Sequence, residues 1–275
     1  MWQLPFALVV SVPVAALVGS TYGRGADGDA VLWAPGGRAL LSFAAQQAAA
    51  LRAMGALAAT VWISWAFVGM VPMAMVMVAM SFTVTKAMGP VQTPPLGVCQ
   101  SLGLRMWPRF VKLLLVFAAA QGTLLGLGGG LALATAMWTH AILGEALSQQ
   151  LALCIALPFV LAAFAVHVIH DLARAFVVFS GRRAFAAIDA AVRSFRCGPV
   201  GLGAAWAWRA SLASAAVLVG ALSARRSDGL GGVALALLAL GDQVIVLVRA
   251  SLRASWLARA LRAAAEEPTP LHHET

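Results

Sequence analysis

Between Lys112 and His140 the chain carries no charged side chain. A helix over that stretch rises about 40 Å, more than the roughly 30 Å hydrocarbon core of a bilayer, and in lipid only a helix or a closed barrel satisfies the backbone. Comparable apolar runs recur, giving candidate spans at 4–19, 54–81, 111–137, 150–171, 201–223 and 229–250. Composition agrees: 61% of residues are hydrophobic, 11% are charged, and the mean hydropathy is +0.88. That is more apolar surface than a water-soluble globule of 275 residues could cover. The expected class is an all-α polytopic transmembrane helix bundle of about six spans. It forms one membrane-embedded domain over 1–262, with a short polar tail at 263–275.

The first segment is short, contains Pro5 and Pro13, and resembles the apolar core of a secretory signal. No Lys or Arg precedes it, so it reads as a span or half-span. Orientation follows from the basic residues between spans. Thirteen fall in the 82–112 and 172–200 loops and after 248, against five (Arg24, Arg38, Arg52, Arg225 and Arg226) on the opposite side. The positive-inside rule then puts both termini in the cytoplasm; if segment 4–19 does not span, only the N-terminus moves outside. The net charge of +9 belongs to this distribution. It predicts contact with membrane lipids, including anionic head groups, and no nucleic acid, because no basic module interleaved with aromatics accompanies it.

Between the spans there is little room for a second domain. Residues 36–53 suit a helix lying in the interface, and 182–196 a short amphipathic helix ended by Gly198 and Pro199. Pro90, Pro94 and Pro95 predict a cytoplasmic loop over 82–110 that is not a continuous helix. Cys99, Cys154 and Cys197 have no spacing that suggests a disulfide framework or a zinc ribbon.

Four groups of residues carry possible chemistry. His167, His170, Asp171 and Arg174 share one helix face at the end of the fourth span, which predicts an interfacial polar cluster; His167, His170 and Asp171 are also weak candidate metal ligands. Arg209 and Asp242 lie inside the fifth and sixth spans. A hairpin turn centred near residue 227 sets them level, so the pattern predicts an intramembrane ion pair. Gly122, Gly126 and Gly130 form a small-residue ladder that predicts a helix contact, within the chain or between copies. Met70, Met73, Met77 and Met80 follow helical spacing beside Pro72, where a kink is expected; the ladder reads as core packing, with a Cu(I) path as the alternative.

No nucleophile elbow, metalloprotease motif or pair of catalytic carboxylates is present, so no enzymatic activity and no cofactor is expected. The order of "LWAPGG" and then "HDLARAFVVFSGRRAFAAIDAAVRSFRCGP", over about residues 30–260, resembles a broad set of bacterial six-span membrane proteins of unknown function. Their pattern is similar to the membrane domain that precedes some glycerophosphodiester phosphodiesterases. The resemblance implies a membrane module without the catalytic barrel. The expected function is an accessory or scaffold module contacting lipids and partner helices, from partner membrane proteins or a homo-oligomer. The competing expectation is a small permease with a polar path through His167, Asp171, Arg209 and Asp242, in which Pro72 and Pro158 break the helices.

Overall fold

A computed structural model describes residues 16–17, 43, 45–85, 94–224 and 232–266. Among them the chain is all-α, with no strand. The helices are α1 (Ala48–Thr85), α2 (Leu96–His140), α3 (Ala146–Ser180), α4 (Ala184–Cys197), α5 (Pro199–Ala224) and α6 (Gly232–Glu266). All but α4 are long and apolar enough to cross a membrane, so the chain is a multi-pass helical membrane protein. They contain the spans expected from 54–81 onward, apart from residues 229–231. Segment 4–19 and the 225–231 turn lie outside the described residues, as do 86–93 and 267–275, apart from Ala16 and Leu17.

The chain forms two compact units, Met1–Gly69 and Met70–Thr275. In the first, the expected interfacial helix is described from Phe43. Gln47 N–H donates to Phe43 O at 2.8 Å and Leu51 N–H to Gln47 O at 2.9 Å, which carries the helix into α1.

In the second unit, α2 and α3 are an antiparallel hairpin that turns at Gly144. With φ 76° and ψ 171° this residue occupies backbone space that is essentially glycine's alone, and it ends one helix and starts the next without a loop. Cross-contacts follow that pivot. Phe117 stacks on His170, and a Cβ on Gly128 would stand 2.5 Å from Phe159 Cβ. Gly128 is therefore where the two backbones come close. The ladder expected to make a contact faces elsewhere: Gly122, Gly126 and Gly130 are exposed, with nothing within 4 Å of a Cβ on any of them. Two residues along a helix turn the side-chain direction by about 200°, so the face bearing Gly126 points away from the one bearing Gly128. As an intrachain contact the ladder is corrected to Gly128.

Two further corrections concern length. The expected 82–110 loop is helical from Leu96, because Pro95 sits at the N-cap position of α2, where a missing N–H costs no helical hydrogen bond. The sixth span does not stop at 250. α6 continues to Glu266 as an amphipathic helix that buries Trp256, Leu257, Ala260, Leu261 and Ala264. The expected amphipathic helix at 182–196 is α4, and it ends at Gly198 and Pro199 as expected.

The core lies at one end of this unit. Met77 and Val78 from α1, Phe110 and Leu113 from α2, Leu172 and Phe176 from α3, and the Ala187, Ala190 and Ala191 face of α4 pack with the far end of α6. Met70, Met73 and Met80 pack against this core beside the fully buried Met77, so the methionine ladder is a packing face. Toward the other end the helices keep apolar side chains on their outer surface: Trp138, Ile142 and Val233 are about four-fifths exposed.

Candidate functional site

Asp171 projects from α3 into the core with no exposed surface. An ionised carboxylate at such a place must be paired and hydrogen-bonded. Arg253 of α6 supplies a two-pronged fork, Nη1 to Oδ2 and Nη2 to Oδ1, each 2.6 Å. Trp256, one turn further along α6, donates its indole N–H to Oδ2 at 2.8 Å. Arg174 approaches Oδ1 at 3.4 Å from α3 itself, and His167 Nε2 lies 3.8 Å from Oδ2. One carboxylate thus joins α3 to α6 through donors on both.

The histidines take separate roles. His167 lies within 3.5 Å of Gln121 Nε2 through its Nδ1 and meets the edge of Trp206, so it links α2, α3 and α5. His170 turns away from Asp171 and stacks on Phe117 with ring centroids 4.6 Å apart; its Nε2 is buried without a hydrogen-bond partner. Arg174 reaches Met70 Sδ at 3.5 Å with Nη2, and its Nε is likewise unmatched. Among the described residues no three His, Cys, Asp or Glu side chains converge as metal ligands do. Asp171 has both oxygens committed to donors and the histidines diverge. The arrangement therefore orients and locks helices and leaves no free carboxylate to take up a proton or a substrate.

The expected polar cluster is therefore brought together, and it gains Arg253 and Trp256, which sequence reasoning missed. Their signal was present. After Arg249 the residues Arg253, Trp256, Leu257, Ala260, Leu261 and Ala264 keep the three-to-four spacing of a helix face, which marks an amphipathic helix continuing past residue 250, where the sixth span is expected to end.

The expected Arg209 to Asp242 ion pair is not formed. Arg209 Nε donates to Ser255 Oγ at 3.1 Å, its Nη1 donates to Ala205 O, and its guanidinium lies 4.5 Å from the Trp208 ring. Asp242 instead sits beside Gly220, where a Cβ would be 3.5 Å from Oδ1. Both cross-contacts centre the α5–α6 hairpin on about residue 232, not on 227. Moving the centre five residues shifts the partner of Arg209 by ten, roughly 15 Å of helix. Arg209 is consequently level with the polar end of α6, beside Ser255 and Trp208, while Asp242 lies in the apolar window.

The remaining capping contact is made by Arg109 of α2, which donates to the carbonyl of Gly181, the left-handed residue that ends α3. Comparison with protein-family models, with curated proteins and with solved structures finds no match for this chain.

Proposed function

We propose that the chain is a non-enzymatic accessory or scaffold module of a bacterial inner membrane, with both termini in the cytoplasm, that assembles with a partner helix along α6. One observation carries this reading. The most apolar window of α6 has none of its residues buried, and Asp242 projects from it, exposed, between Leu240 and Val244. A carboxylate facing hydrocarbon costs several kcal/mol, whereas one matched by a donor on a neighbouring helix costs far less. Asp242 has no donor within its own hairpin among the described residues, so a partner helix supplies one. The resemblance to the membrane domain that precedes some glycerophosphodiester phosphodiesterases fits the same role, since such a domain serves something else.

A transport path has weaker support. His167, Asp171 and Arg209 gather at one level, but Asp242 is eleven residues before Arg253 on α6, roughly 16 Å away along the axis. Asp171 is also closed off by Arg253 and Trp256. The test is a photo-crosslinking amino acid at Leu240, an exposed position on α6, in native membranes. The expected result is one discrete protein adduct that disappears in Asp242→Asn. Adducts to lipid alone, with Asp242→Asn accumulating normally, would overturn the reading.

A further inference from the structure

A cleft of about 650 Å³ opens where the end of α4 and the start of α5 meet the last turns of α6. It belongs neither to the Asp171 cluster nor to the apolar window that holds Asp242. Arg193, Arg259 and Arg262 line it against a single carboxylate, Glu266. Arg193 is already paired with Asp189, one turn back on α4. Arg259 and Arg262 are exposed, stand three residues apart on one face of α6, and form no ion pair among the described residues. Two guanidinium forks directed into one concavity match the oxygens of a phosphate better than any cation or apolar group.

The floor of the cleft has the same polarity. α5 is preceded there by Gly198, which has no side chain to cap the helix, and begins with Pro199, which has no N–H. The first-turn amides of Val200 and Gly201 therefore face outward at the positive end of a 26-residue helix, and Gly201 lines the cleft. By itself a helix terminus would decide nothing, but here it points into the space that two arginines already make positive.

We propose that this cleft binds a phosphate group. Two sources offer one. Arg259 lies ten residues past Arg249, where the apolar part of α6 ends, or about 15 Å along the helix. An anionic phospholipid head group can reach that level from the bilayer, and a soluble phosphate compound can reach it from water. Only the lipid source depends on the membrane reading, and neither depends on a partner helix at Asp242.

Cys197 lines the cleft and its thiol is exposed, which supplies a native reporter; a cysteine introduced as Ile142→Cys, exposed beside the Gly144 turn and outside the spans, serves as the reference. The full chain is placed in nanodiscs and the maleimide reaction of each cysteine is followed by mass spectrometry. One arm uses phosphatidylcholine alone, a second adds inorganic phosphate to those discs, and a third replaces part of the lipid by phosphatidylglycerol. The expected result is a slowing of Cys197 relative to the Ile142→Cys reference by about threefold or more, as when two-thirds of the clefts are occupied. Slowing by phosphatidylglycerol alone identifies a lipid head group, and slowing by inorganic phosphate identifies a soluble source. R259Q/R262Q should abolish the effect and R259K/R262K should keep part of it. E266Q should lower the concentration for half-protection about twofold to fivefold, as removal of one repelling charge does. The proposal is overturned if Cys197 reacts equally fast in all three arms, or if its slowing persists in R259Q/R262Q, which would make it an effect of bilayer charge. Should R259Q/R262Q fail to fold, an unchanged half-protection concentration in E266Q overturns it as well.

Discussion

Asp171 aims both carboxylate oxygens at donors from two helices, and the contacts are not of equal worth. Arg253 and Trp256 bind at 2.6 to 2.8 Å, whereas Arg174 at 3.4 Å and His167 at 3.8 Å contribute mainly charge and position. Removing the carboxylate leaves Arg174 buried without its counter-charge, a loss of about 3 to 5 kcal/mol in comparable buried pairs. Asp171→Asn is therefore expected to lower the thermal unfolding midpoint of the purified protein sharply. Arg253→Lys keeps the charge and loses the fork, so it should cost less. About 1.5 kcal/mol is expected, the low end for a charged hydrogen bond, because the Arg253 side chain is 36% exposed. Equal midpoints for wild type, Asp171→Asn and Arg253→Lys would show that this cluster does not lock α3 to α6.

At the scale of elements, Gly144 does the work of an entire loop. An alanine there has to adopt φ 76° and ψ 171°, which costs about 1 to 3 kcal/mol or forces the turn to rebuild. Gly144→Ala should therefore unfold at a lower temperature than Ile142→Ala, which removes an exposed side chain two residues away; identical midpoints would mean that the hairpin does not need the glycine. This turn also shows what the sequence made legible. Hydropathy located the spans because lipid imposes one rule on every residue inside it. It did not locate helix ends, because a helix can continue beyond its apolar run, as α2 does before residue 111 and α6 does after 250. Register was harder still. The α2–α3 contacts centre on Gly144, near the middle of the uncharged-to-polar interval between the spans, but the α5–α6 contacts centre on about residue 232, past the visible "ARRSDG" turn signal. That offset separated Arg209 from Asp242 and left Arg253 to Asp171. The cluster residues on α3 were readable because one helix face holds them, while their partners on α6 depended on a register that local sequence does not encode.

Within the second unit, charge and packing are sorted to the same end. The buried core, the Asp171 cluster, α4 and the arginine-lined cleft all lie where α3 ends, α5 begins and α6 finishes, and most of the basic residues lie there too. The other end of the unit carries the Gly144 turn and exposed apolar side chains, with no Lys or Arg between 138 and 149. Moving the packed end across a bilayer would require the transfer of several arginines at once, each costing about 2.5 to 3.5 kcal/mol at mid-membrane, so insertion should retain it on the cytoplasmic side. The orientation can be checked in intact cells with a maleimide that does not cross membranes. A cysteine at position 142, beside the Gly144 turn, should react at once, and native Cys197 should react only after permeabilisation. The reverse pattern would place α4 and the arginine-lined cleft outside, where neither cytoplasmic phosphates nor inner-leaflet head groups could reach it.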